Sequence, residues 1–169
     1  MLTISYKEAM TAEQYIQKLF ELSEKKLDSL RVILKLTQEQ SDIIAEENTE
    51  ELQRIIDQKQ EQMVAIDELD EAFEVYYSRL KSLLGIQSLE EVRISELKGA
   101  AELKQIVTTI YDITKQIQNL EIINNKKVRD ILNKLSGEIR QVKQSKMINN
   151  GYNMGNKLPQ PSYFFDIKK

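Results

Sequence analysis

The side chains that most often carry catalysis near neutral pH are absent from this sequence of 169 residues, which contains no His and no Cys. A general acid or base tuned near neutral pH is most easily a His, and nucleophilic thiols and most zinc sites need Cys or His. The sequence also shows neither a Gly-rich phosphate loop nor a G-x-S-x-G elbow. We therefore predict no enzymatic activity, no cofactor, no metal site and no catalytic residue.

The residue types suited to binding a protein are concentrated in residues 148–169, which we call the C-terminal tail. It contains the helix-stopping and turn-forming residues Asn149, Asn150, Gly151, Gly155, Pro159 and Pro161. It also contains four of the eleven aromatic residues of the chain. Apolar residues without a regular period cannot bury a face of their own, so the tail must pack either on its own bundle or on a partner.

If the tail packs on a partner, we predict that it does so through its apolar side chains. These candidate partner-binding residues are Tyr152, Met154, Leu158, Tyr163, Phe164, Phe165 and Ile167. The alternative is that the same side chains only cover the end of the bundle.

Hydrophobic periodicity predicts that the chain before the tail is helical. Apolar residues recur at steps of three or four in segments 11–46, 49–84 and 100–147. The connection at residues 47–48 is so short that the first two helices should form an antiparallel hairpin or one bent rod. We predict an all-α fold, an elongated antiparallel helical bundle made of a long hairpin and a long third helix. The predicted division is a bundle at 1–147 and a flexible, aromatic-containing tail at 148–169.

Capping patterns define the ends of these segments. Thr11 with Gln14 is a capping-box pattern, and Asn48 followed by Glu51 is a start signal for the second helix. Gly85 is suited to the position just after a helix end. Ser88 with Glu91 repeats the capping-box pattern and predicts a short helix between the second and third long segments.

Three polar residues interrupt the apolar stripes. Asn124 either fixes the alignment of packed helices or marks a bend, and we favour the first role because no other polar groups obviously converge on it. We expect Lys59 and Asp70 to lie at the edge of the second helix's apolar stripe rather than in the core.

Charge is distributed unevenly along the chain. Residues 1–75 hold 18 acidic and 8 basic side chains, a net charge of −10, whereas residues 76–147 hold 8 acidic and 13 basic side chains, a net charge of +5. This pattern favours an acidic hairpin packed against a basic third helix. The basic residues of segment 126–146 could also suggest nucleic-acid binding, but they are spread around the helix and match no recognised motif, so we predict no nucleic-acid partner.

The N-terminus lacks the basic region and apolar run of a signal peptide, and no segment approaches the length of a membrane span. With no Cys, these features predict a cytoplasmic protein without stable membrane insertion. The oligomeric state stays open.

Several local sequence blocks resemble the FlgN family of flagellar export chaperones. Two blocks are similar to the family's helix boundaries. The first is Asn48 to Leu52 with Lys59-Gln60, and the second is Leu84 to Ile86 with Ser88 to Glu91. The stretch 120–132 resembles a family segment built around spaced Asn residues, and Tyr152 to Gly155 with Ser162 to Lys168 resembles its terminal motif. Lys127 departs from the family pattern, where a second Asn is usual.

This resemblance implies a cytoplasmic chaperone for flagellum biogenesis that binds hook-associated proteins, which form the hook-filament junction. Such a chaperone prevents premature assembly and delivers its clients to components of the type III protein export apparatus. The family's C-terminal part is implicated in holding the client. Mainly for this reason we favour a client over the end of the bundle as the surface that the apolar tail residues contact, and we take the seven residues from Tyr152 to Ile167 as candidate client-binding residues. The alternative is a coiled-coil scaffold or self-assembling structural protein without a dedicated client, for which the heptad pattern would be sufficient.

Overall fold

The computed structural model describes residues 9–93 and 96–149. These residues form three helices, α1 (Ala12–Glu46), α2 (Thr49–Leu84) and α3 (Ala100–Asn149), with a single 3₁₀ turn at Leu89–Glu91 and no strand in the described ranges. The predicted all-α fold of a long hairpin and a long third helix is confirmed. Within the described ranges, no helix combines the length and apolar character needed to cross a membrane.

The predicted caps set the helix ends of the hairpin. The Thr11 hydroxyl accepts the Gln14 N–H at 3.2 Å, and the Gln14 side chain accepts the Thr11 N–H at 2.8 Å, which completes the capping box. Between α1 and α2, Glu47 adopts a left-handed conformation with φ 56°, and the Asn48 side chain then accepts the Glu51 N–H. These two residues reverse the chain, so α2 runs antiparallel to α1.

The connection from α2 to α3 departs from the prediction of a capped short helix. The Ser88 side chain makes no capping hydrogen bond, and Glu91 instead accepts the Gln87 N–H at 2.8 Å. The connection is held to the helices by the Tyr77 hydroxyl, which accepts the Leu89 N–H at 2.9 Å. A single 3₁₀ turn is therefore what the Ser88-to-Glu91 pattern produces here.

α1 is the central helix, because α2 and α3 both pack along it rather than along each other. One apolar cluster joins the three helices near the start of α1 and includes Ile16, Leu19, Leu80 and Leu103, each almost completely buried. A second cluster farther along consists of Leu30, Ile33, Ile66 and Ile117. Burial of these side chains along α1 provides the main apolar stabilisation of the bundle.

α3 runs parallel to α1 and extends beyond the hairpin. The Asn124 side chain donates to the Thr37 carbonyl, a pairing of residues 87 positions apart. The same offset brings Glu46, the last residue of α1, level with residue 133. Residues 134–149 of α3, about 24 Å of helix at 1.5 Å per residue, therefore project past the hairpin; we call them the overhang.

Candidate protein-binding site

The seven candidate client-binding residues of the tail, from Tyr152 to Ile167, lie outside the described residues. Their role in client binding stays a prediction. What the structure does describe is the segment that leads to them, since α3 continues to Asn149, two residues beyond the predicted end of the bundle.

The overhang is an amphipathic helix. Leu135, Ile139 and Val142 follow each other at steps of four and three, so they form one apolar stripe. The side chains of Leu135 and Val142 are 39% and 46% exposed, and Ile148 at the end of the described chain is 84% exposed. Among the described residues no helix lies beside this stripe, so it presents an apolar surface adjacent to the first residues of the tail.

A second apolar surface lies between α2 and α3, where the two helices stand apart over α1. We call it the α2–α3 groove. Its floor contains Leu22 and Leu30 of α1, and its walls contain Phe73 of α2 and both Val107 and Tyr111 of α3. The cavity has a volume of about 270 Å³. Val107 and Tyr111 are 38% and 55% exposed, so a partner can reach the groove from solvent.

A buried polar layer crosses the bundle between the groove and the overhang. Lys59 of α2 is completely buried, and its ammonium donates to the Gln40 side chain at 2.9 Å and to the Glu121 carboxylate of α3. Asn124, also fully buried, donates to the Thr37 carbonyl at 3.0 Å. Burial lowers the pKa of Lys59, although the Glu121 carboxylate opposes that shift.

The position of Lys59 corrects the sequence-based expectation that this residue lies at the edge of the apolar stripe. It was wrong because the partners that make burial tolerable, Gln40 and Glu121, lie 19 and 62 residues away in sequence. Asp70, by contrast, is half-buried and pairs with Lys26 at 2.6 Å.

The polar layer also decides between the two readings of Asn124. The residue lies in an unbroken helix, and its hydrogen bond to α1 fixes the alignment of the two helices. Polar groups do converge near it, contrary to the expectation from sequence.

The ion pair between Lys59 and Glu121 has the opposite polarity to the pairing that net charge suggests, which is an acidic hairpin side chain with a basic α3 side chain. Here the hairpin contributes the cation, Lys59, and α3 contributes the anion, Glu121. The polarity of this pair therefore does not follow the net charges of the two segments. The basic character of α3 instead persists into the overhang, whose one acidic and four basic residues give a net charge of +3.

A three-helix bundle with a projecting amphipathic helix and an open apolar groove has the features of an α-helical protein that binds other proteins. Comparison with protein families gives a more specific identity. The family model described as FlgN protein matches residues 10–160, which include all three helices, so the chain belongs to the FlgN family of flagellar export chaperones. Neither the comparison with curated proteins nor that with solved structures found a match.

Proposed function

We propose that the protein binds hook-associated proteins of the hook-filament junction in the cytoplasm, keeps them from assembling prematurely, and delivers them to the type III export gate. Family membership supports the general role of flagellar export chaperone. The structural observation that supports the location of the client site is the overhang, whose exposed apolar stripe leads directly into the aromatic tail.

The arrangement suits an amphipathic client helix. Such a helix would lay its apolar face against Leu135, Ile139 and Val142, and the tail aromatics would add contacts on the client's other side. Ordering the tail on binding costs conformational entropy, so part of the contact energy is spent on ordering. Binding would consequently be reversible, as required for a chaperone that releases its client at the export gate.

Calorimetric titration of a hook-associated client into three forms of the protein tests the proposal. The forms are the full chain, a chain lacking residues 150–169, and the triple variant Tyr163→Ala, Phe164→Ala and Phe165→Ala. We expect both altered forms to bind much more weakly, because buried aromatic anchors often contribute about 2 kcal/mol or more each. Circular dichroism should show nearly unchanged helicity and melting temperature, since the three described helices remain.

A matched control replaces polar tail residues at three positions outside the family-like blocks, as Asn150→Ala, Asn156→Ala and Gln160→Ala. This control should bind the client nearly as well as the full chain. Equal affinities for all forms would exclude the tail as a client-binding element. A large fall in melting temperature on truncation would show that the tail mainly covers its own bundle, and self-assembly without any client binding would favour the scaffold alternative.

A further inference from the structure

The buried polar layer contains three polar atoms that still require a hydrogen-bond partner. They are the Nε2 atom of Gln40, the Oε2 atom of Glu121 and the Oδ1 atom of Asn124. All three are shielded from solvent, and none has a partner among residues 9–93 and 96–149. A buried polar atom without a partner costs free energy, so such atoms are paired in most native structures. Their concentration in one layer therefore indicates that the layer binds a further polar group.

The two amide groups cannot gain partners by exchanging their nitrogen and oxygen atoms. The Oε1 atom of Gln40 accepts from the Lys59 ammonium at 2.9 Å, so a reversed amide would place its NH₂ group against that ammonium. The Nδ2 atom of Asn124 donates to the Thr37 carbonyl at 3.0 Å, so reversal there would bring two oxygen atoms together. These contacts fix both orientations. They leave the amide nitrogen of Gln40 as a donor and the amide oxygen of Asn124 as an acceptor.

The three atoms come from neighbouring turns of two parallel helices. Asn124 of α3 lies level with Thr37 of α1. Gln40 lies about one turn beyond that level, and Glu121 about one turn before it. The side chains of Gln40 and Glu121 both contact the same Lys59 ammonium, so they lie beside each other. The level between them is that of the Asn124 amide, and the three atoms are thereby brought to one place in the core.

The charges around this place select a small neutral ligand. A cation would be repelled by the Lys59 ammonium and could not accept a hydrogen bond from Gln40. An anion would be repelled by the Glu121 carboxylate and could not donate to Glu121 or Asn124. Water is neutral and can both donate and accept, and buried waters typically make about three hydrogen bonds to otherwise unpaired groups. We propose that one water molecule is bound in the polar layer, where it donates to Glu121 and Asn124 and accepts from Gln40.

The bound water connects α1 to α3 where the buried apolar packing of α3 ends. Among the described residues of α3 beyond Ile117, the buried ones are the polar Glu121 and Asn124. The water joins both of these residues to Gln40 of α1. It therefore helps to align the part of α3 that leads to the overhang.

Oxygen-17 magnetic relaxation dispersion of the full chain tests the proposal, because it detects water molecules that stay bound for longer than the protein takes to tumble. It follows the water oxygen, so exchange of the Lys59 ammonium protons with solvent cannot imitate a bound water. The double variant Gln40→Met with Asn124→Leu removes two of the three partners with side chains of similar size, and keeps Glu121 opposite Lys59. We expect the dispersion amplitude of this variant to fall by the contribution of one water molecule.

Ser23→Ala is the matched control, because it removes another deeply buried polar group of α1 that lines the α2–α3 groove instead of the polar layer. Its dispersion amplitude should equal that of the natural chain. Equal amplitudes for the natural chain and a folded double variant would overturn the proposal.

A crystal structure of the natural chain locates the water independently of any variant, and it decides the question if circular dichroism shows that the double variant does not fold. We expect a water molecule within hydrogen-bond distance of Gln40, Glu121 and Asn124. A structure in which the Gln40 amide instead donates directly to Glu121 or Asn124, with no water between them, would overturn the proposal.

Discussion

The buried ion pair between Lys59 and Glu121 allows a quantitative test of how the three helices are held together. The Lys59 side chain is fully buried and that of Glu121 is only 9% exposed, so removing either partner leaves an uncompensated charge in the interior. Such a loss typically costs about 3–5 kcal/mol of unfolding free energy. We expect Lys59→Met and Glu121→Leu to lose that amount separately, which is a large fraction of the roughly 5–15 kcal/mol that stabilises a typical domain.

The double variant Lys59→Met with Glu121→Leu should behave differently. Replacing both members of a buried pair by apolar residues removes the cost of dehydrating two charges, and comparable replacements are neutral or stabilise by about 1–4 kcal/mol. The double variant should therefore be at least as stable as the natural protein. The resulting coupling energy would be several kcal/mol, far above the roughly 0.3–0.5 kcal/mol expected for independent sites.

Urea denaturation followed by far-ultraviolet circular dichroism measures all three variants against the natural chain. Arg54→Met is the matched control, because Arg54 pairs with Glu51 on the surface, where both side chains are nearly half exposed. This change should cost at most about 1 kcal/mol. The reasoning would be refuted if the single variants at Lys59 and Glu121 resembled this control, or if the double variant lost the sum of the two single losses.

Three further predictions concern the core, the connection and the pH dependence of stability. Ile117→Asp should destabilise the bundle by several kcal/mol, because this fully buried side chain belongs to the second apolar cluster, and a melting temperature close to the natural one would contradict that burial. Gly99→Ala should lower the unfolding free energy more than Gly85→Ala does. Both residues have positive φ, but an added Cβ at Gly99 would lie 3.2 Å from a methyl group of the buried Ile16, whereas at Gly85 it would meet no atom within 4 Å. Equal losses of unfolding free energy in urea denaturation would refute this steric argument. Burial lowers the pKa of Lys59 below its usual 10.5, so the folded protein loses this proton at a lower pH than the unfolded chain does. The unfolding free energy of the natural protein, relative to that of the double variant, should therefore rise as the pH increases toward 10.5. If the difference in unfolding free energy between the two proteins stayed constant across that range, the pKa of Lys59 would not be lowered.

The helix boundaries could be predicted closely because local residues determine them. Asn48, Gly85 and the Thr11 capping box act through hydrogen bonds or backbone conformations within a few residues, so the sequence contains the whole signal. The first and second helices accordingly begin and end within one residue of the predicted positions. The Ser88 pattern yields a helix of only one 3₁₀ turn, at Leu89–Glu91, and the side-chain cap that the pattern predicts does not form.

The polar layer and the groove could not be predicted in the same way, because both depend on how separate helices are aligned. Burial of Lys59 requires that α3 place Glu121 opposite it, and the groove exists only because α2 and α3 both pack on α1 instead of on each other. In the sequence, the feature that could have indicated the buried polar layer was a Lys, Lys59, at a position of the apolar stripe. The client-binding residues of the tail remain predictions from their apolar character and from family resemblance.

The central position of α1 also determines the order in which the chain can fold during synthesis. The hairpin of α1 and α2 is complete by Leu84, but the α1 residues that pack against α3 contact residues that are synthesised about 87 positions later. Until then Ile16, Leu30 and Thr37 lack the side chains of α3 that cover them in the folded protein. Docking of α3 is thus a separate, later step with a larger loop-closure entropy. A ribosome-bound hairpin should exchange its α1 amide hydrogens faster than the finished bundle does. This difference should disappear once α3 has emerged from the ribosome as far as Asn124.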